Sequence, residues 1–387
     1  MEIKHQFTRH YDLDWIKVVA TFIVFLYHCS MFFNPFDWHI KNNTINHTYI
    51  EFFSFLVGNW IMPLFFVISG IATFHALKKR NVKRFIGERF IRLGIPLLLG
   101  VFLLSPPQVY IERIVYHQFE GSFLKFFPKY FEGVYLEIGG SGNFAFFGHH
   151  LWYLLALLLF SLIALPLLLK LKNDPGRQVF GFVHFIILPI PLIIVALLLN
   201  GIVNLGSWGL LFYFILYGYG YYFFSQQSLR KFIRKAGVLT GILSGISTAA
   251  YIYWAMFIGF PMDVSIEWAV FMVIRVIQVW SVLFFILFLG DKYLNFSNKA
   301  LTYTSEASMP FYVLHQPIII LIGFFIYNLD WSVSVKMIFL IIISFFIIMF
   351  FYQIFIRSIN AMRVLFGLRH RKKSLPSLNS GITNPRN

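Results

Sequence analysis

A chain of 387 residues that is 58% hydrophobic and only 12% charged lies outside the composition of a water-soluble domain, where about a quarter of residues are charged. The formal charge of +16 does not indicate nucleic acid, because the basic residues stand in short loops between long apolar runs. The single cysteine, Cys29, excludes an intramolecular disulfide.

Ten apolar runs follow in chain order, each near the roughly 20 residues that cross a bilayer as a helix. They are Leu13–Phe33, Phe52–Leu77, Ile91–Pro107, Leu151–Leu171, Val179–Leu199, Trp208–Phe224, Val238–Phe260, Trp268–Leu289, Met309–Tyr327 and Met337–Ile356. The pattern predicts an all-α, polytopic transmembrane helix bundle over residues 1–373. Residues 374–387, rich in Ser, Asn and Pro, read as a disordered tail. The third run is short and closes on Ser105-Pro106-Pro107. After it, Gln108 to Gly148 reads as a loop rich in Phe, Tyr and Gly, long enough to be functional and aromatic enough to pack on the bundle or on a sugar.

The loops set an orientation. With both termini cytoplasmic, the other side holds only Lys41, Arg113, Lys125, Lys129 and Lys336, and Arg275 lies inside a span. Every cytoplasmic connection is basic, as the positive-inside rule requires. The first apolar run is too long for a cleavable signal peptide and lacks a small-residue cleavage site.

Ionisable groups inside spans are costly unless paired or facing a cavity, so each is a site candidate. In the first run, Lys17 and His28 are eleven residues apart. That is close to three turns, which puts them on one face about 16 Å apart along the axis. The bland alternative is a snorkelling lysine beside Asp14 and a histidine bonded to a neighbouring helix. Arg89 and Arg92 project from one face at the start of the third run and suit bidentate phosphate recognition, against the alternative of a topology signal touching anionic lipid. Arg275 has no carboxylate in its own span. His315 precedes Pro317, which frees a backbone carbonyl near position 313. His150 opens the fourth run, and Asp37, Trp38 and His39 follow the first run on the outer side, where they can hydrogen-bond a hydroxylated acceptor. His75, His184 and Cys29 read as packing residues. No CxxC, HExxH, Walker loop or GxSxG is present, which argues against a metal centre, ATP-driven transport and a serine hydrolase.

Several of these stretches together resemble the membrane acyltransferase-3 family, most closely its periplasmic glucan succinyltransferase branch. They are Leu13-Asp14-Trp15-Ile16-Lys17 running to Tyr27-His28, Phe65-Phe66-Val67-Ile68-Ser69-Gly70, Glu88 to Pro96, His150 to Leu154, and Tyr312 to Pro317. The Asp37-Trp38-His39 triplet points to the glucan branch. The resemblance implies an acyl-CoA-dependent O-acyltransferase of the bacterial inner membrane, moving an acetyl or succinyl group from cytoplasmic acyl-CoA to a hydroxyl of an extracytoplasmic glycan or glucan. It implies His28 as the catalytic histidine; the intramembrane positions of Arg275 and His315 make either a candidate to support the oxyanion. It implies Arg89 and Arg92 as acyl-CoA contacts; by position, Lys17 is a further candidate for the donor, and Asp37, Trp38, His39 and His150 are candidates for the acceptor. Lys17 stands where the family has arginine, so charge and spacing survive but bidentate geometry does not. Spans and charges alone fit a transporter or flippase for a glycan or lipid-linked intermediate equally well. The lipid bilayer is the one partner that composition itself dictates; oligomeric state is not legible.

Overall fold

The computed structural model describes residues 10–172, 180–261 and 264–371. The tail assigned to 374–387 falls outside them. The molecule is a multi-pass helix bundle whose strands, among the described residues, amount to one two-residue hairpin pairing Asn204–Leu205 with Trp208–Gly209.

The elements follow the apolar runs. They are α1 (Tyr11–Met31), α2 (Tyr49–Lys79), α3 (Val82–Val115), α4 (His149–Ile163 continued by Leu165–Leu171), α5 (Phe182–Leu199), α6 (Leu210–Phe224), α7 (Gln227–Ile258), α8 (Ile266–Tyr293), α9 (Lys299–Ile326) and α10 (Val333–Ile356). A short α11 (Asn360–Leu365) closes the described chain. Eight of these are long and apolar enough to cross a membrane. The ninth, α4, bends by 58° at Ala164, where Pro166 removes a backbone donor. The tenth, α6, is short. The bundle therefore carries eight to ten spans by length and composition, in line with the apolar runs.

One boundary differs. Helix α3 does not stop at Pro106-Pro107 but continues to Val115, so Gln108, Glu112 and Arg113 belong to a buried helical end. The widened turns at Phe90–Gly94 and Gly100–Leu104 absorb donors lost to Pro96, Pro106 and Pro107. Two glycines set the tightest crossing. A Cβ on Gly70 would lie 2.1 Å from the Tyr217 carbonyl oxygen, and one on Gly220 would lie 2.3 Å from that of Val67. Close backbone approach of this kind is how small residues pack membrane helices.

The segment between α3 and α4 forms a cap with its own small core of Val109, Phe126, Tyr130, Tyr135 and Ala145. The Tyr130 hydroxyl donates to the Val101 carbonyl at 2.7 Å, fastening the cap to α3.

Candidate functional site

Helix α1 organises the site. Lys17, Thr21 and Val24 share one stripe and line a cavity of about 860 Å³ bounded also by α2, α3, α4 and α9. His28 continues that stripe one turn beyond Val24, so the eleven-residue spacing from Lys17 places both on the same face.

Arg89 and Arg92 both line this cavity. Arg89 donates to Thr73 Oγ1 and lies over the Phe85 ring. Its position depends on the Gly70–Gly220 crossing, which also brings the Tyr217 hydroxyl to Thr73 Oγ1 at 3.0 Å. The surrounding cations are already committed. Glu88 takes Arg80, Arg84 and Arg369, and Glu306 takes Arg363. Among the described residues neither Arg89 nor Arg92 pairs with a carboxylate, so this is a cationic cavity with two guanidinium groups left for an external anion. Lys17 faces the same space and donates to Ser305 Oγ at 3.4 Å. It also lines a second basic cavity, of about 1310 Å³, together with His75 and Lys79. His75, read above as a packing residue, therefore lines both cavities.

Behind Val24 and Tyr312, which line the first cavity, lie three imidazoles from three helices. His28 and His315 have ring centroids 4.7 Å apart, His150 and His315 4.8 Å, and His28 and His150 6.4 Å. Each ring is fixed by donating one N–H to a backbone carbonyl. His28 Nδ1 donates to Val24 at 2.9 Å, and His315 Nδ1 donates to Tyr312 at 2.7 Å. His150 Nε2 lies 3.1 Å from the Tyr312 carbonyl and 3.3 Å from that of Val313. Pro317 does free the Val313 carbonyl, but the ring that takes it is His150 rather than His315.

These anchors leave the opposite nitrogen of each ring as a bare acceptor. His150 Nδ1 and His315 Nε2 are buried with no protein partner, while His28 is half-buried. His28 is thus the one ring of the three that is not fully buried. Val24 and Tyr312, whose carbonyls hold His28 and His315, form the inner wall of the cavity. The Tyr312 ring stands there with its hydroxyl on the His150 carbonyl.

A second polar group lies beside the first. His39 Nδ1 donates to Glu112 Oε2 at 2.5 Å, and the ring packs edge-on against His149 with centroids 4.6 Å apart. Trp38 is buried and accepts from the Tyr116 hydroxyl through its carbonyl, whereas Asp37 is exposed. Nearby, Lys41 donates to the carbonyls of Met31 and Phe36, and burial lowers its pKa to about 8.

Arg275 stands apart from the histidines. Its Nε donates to Asn59 Oδ1 at 3.1 Å, its Nη2 donates to the Ser207 carbonyl at 2.9 Å, and its guanidinium lies over Trp208. Asn59 sits at the break in α2, so this arginine ties that break to the hairpin before α6. Cys29 is buried, and His184 accepts from the Gly181 N–H.

Among the described residues no set of three or more His, Cys, Asp or Glu side chains is arranged to hold a metal ion. Sequence reasoning missed Glu112, taken as a loop residue, and Tyr312. The i−3 spacing of Tyr312 from His315 was the available signal for the latter.

The site is thus a cationic cavity in a polytopic bundle, with three imidazoles behind its Val24 and Tyr312 wall. The matching family model, an acyltransferase domain, covers residues 10–353, and the chain belongs to the acyltransferase-3 family. It is a multi-pass membrane acyltransferase. It is similar to the glucans biosynthesis protein C of Escherichia coli (strain K12) and of Shigella dysenteriae serotype 1 (strain Sd197). Each is 24% identical over 338 residues, which cover 82% of this chain and 84% of the relative. No solved structure matches.

Proposed function

We propose that the protein transfers an acetyl or succinyl group from acyl-CoA, held at the basic end, to a hydroxyl of a glycan at the opposite end. Both termini would lie in the cytoplasm of a bacterium, with the bundle in its inner membrane. The observation that carries this reading is the line of cavity from Arg89 and Arg92, neither paired with a carboxylate among the described residues, along Lys17, Thr21 and Val24 to the wall beside His28. Arg89 and Arg92 would take the donor's phosphates, and the extended arm would carry the thioester inward. The names of the similar proteins favour a glucan as acceptor. Family membership favours the enzyme over a transporter.

At the cluster, His28 Nε2 removes the proton of the acceptor hydroxyl as its oxygen attacks the thioester carbonyl. The C–S bond breaks, and the imidazolium returns the proton to the departing thiolate. The Val24 carbonyl keeps Nδ1 protonated, which keeps Nε2 available as the base. Tyr312 must swing from the His150 carbonyl for the thioester to pass.

The test is His28→Ala in purified protein, assayed for transfer and for thioester hydrolysis. Loss of a general base predicts a fall in transfer of about 10²–10⁴-fold. Turnover equal to wild type would remove His28 from the chemistry.

A further inference from the structure

Two pairs of adjacent residues straddle the polar interior. His149 and His150 are consecutive, as are His315 and Gln316. His150 and His315 join the His28 cluster, whereas His149 and Gln316 reach His39. The backbone that carries one polar group therefore carries the other.

The carboxylate at the far side of this second group is fully committed. Glu112 Oε2 accepts from His39 Nδ1 at 2.5 Å and from the Tyr135 hydroxyl at 2.8 Å. Its Oε1 accepts from the Gly139 N–H at 2.9 Å and from Arg113 Nη1 at 3.0 Å. With the His39 Nδ1 hydrogen directed at Glu112, His39 Nε2 is an acceptor, and the Gln316 side-chain amide donates to it at 3.2 Å. The same amide donates to Gln108 Oε1 at 3.1 Å, so α9 is held to α3 one residue from His315. Glu112 and Gln316 are buried, and Gln316 lies beside the proline that weakens α9 at this turn.

We infer that Glu112 and His39 are positioning residues for the transferase reaction, acting through Gln316 to hold the His315 turn of α9 against His28 and His150. The inference rests on the proposed role of His28. Glu112 fixes which nitrogen of His39 carries the proton, His39 thereby accepts from Gln316, and Gln316 fixes α9 where Pro317 has removed a helical hydrogen bond. Tyr135 and Gly139 belong to the cap, so the same carboxylate ties the cap to the cluster. Orienting a histidine through a carboxylate follows the logic of catalytic triads, applied here to a ring that does not itself touch the donor cavity.

The experiment is a double-mutant cycle on purified full-length protein with Glu112→Gln and Gln316→Ala, reading kcat, donor KM and thermal midpoint. If both act through one chain of contacts, each lowers kcat about tenfold with donor KM unchanged, and the double variant falls no further than the worse single variant. Gln316→Ala removes the link while leaving the Glu112–His39 pair and the cap anchor in place. Its kcat is thus readable even if Glu112→Gln fails to fold, with His39→Asn then taking that place in the cycle. Wild-type kcat in Gln316→Ala, independent multiplication of the two losses, or a change confined to KM would overturn the inference. An inactive His28→Ala beside a fully active Gln316→Ala would sink this inference alone, whereas an active His28→Ala would sink the role it rests on.

Discussion

Arg92 and Arg275 both stand on helices of an apolar bundle, the first exposed and the second buried, and the fold treats them in opposite ways. Arg275 is wrapped by Asn59, the Ser207 carbonyl and the Trp208 ring, all supplied by this chain. Arg92 faces a cavity with no carboxylate partner among the described residues, in company with Arg89. A buried cation satisfied by fixed dipoles is a structural tie. A cation left facing a cavity without a carboxylate partner retains capacity for a ligand. Residue type alone did not separate the two; depth and partners did.

The contrast can be broken experimentally. The largest effect is expected at Arg275→Ala, which strands Asn59 Oδ1 and the Ser207 carbonyl at a cost of about 1–3 kcal/mol for each group left unpaired. A clearly lowered thermal midpoint in detergent, with donor KM unchanged in the protein that remains folded, would confirm the tie. Normal stability with a raised KM would place Arg275 with the ligand-binding arginines.

Arg92→Ala and Arg89→Ala should behave in the reverse manner. Each removes a charge-assisted contact worth about 1.5–3 kcal/mol, so donor affinity should fall by about tenfold or more. The loss should be greater in low salt than in high salt, because screening already weakens the wild-type attraction at high ionic strength. Binding measured across a salt series checks this. A salt-independent loss would assign Arg89 to its Thr73 contact instead.

Tyr312→Phe is the mildest of the set. It deletes one hydroxyl bond, to the His150 carbonyl, worth about 0.5–1.5 kcal/mol. If Tyr312 is the movable wall between cavity and cluster, kcat should rise or fall only a few-fold while thioester hydrolysis without acceptor increases. Unchanged hydrolysis would argue that the ring is fixed packing.

Much of the fold was legible because membrane helices write themselves as long apolar runs, and the Lys17–His28 stripe was legible because helical spacing is arithmetic. The end of α3 was misplaced for a physical reason. A Pro-Pro step usually stops a helix, but the widened turn at Gly100–Leu104 let the chain continue and carried Glu112 into the interior. The break at Asn59 left no mark in hydropathy. Pairs such as Asp12 with Arg230, 2.8 Å apart, join residues more than two hundred positions distant, and no local pattern announces them. The histidine cluster was legible as separate candidates. That His28, His150 and His315 meet, with Tyr312 serving two of them through one carbonyl, is a product of tertiary packing alone.

The most direct test of transfer through the bundle uses sealed proteoliposomes containing the purified protein, labelled acyl-CoA outside and a glucan acceptor trapped inside. The account predicts label on the enclosed acceptor, abolished by His28→Ala and by detergent-free omission of the protein. Label appearing only on an acceptor placed on the same side as the donor would contradict a path running from Arg89 and Arg92 through His28 to the opposite face.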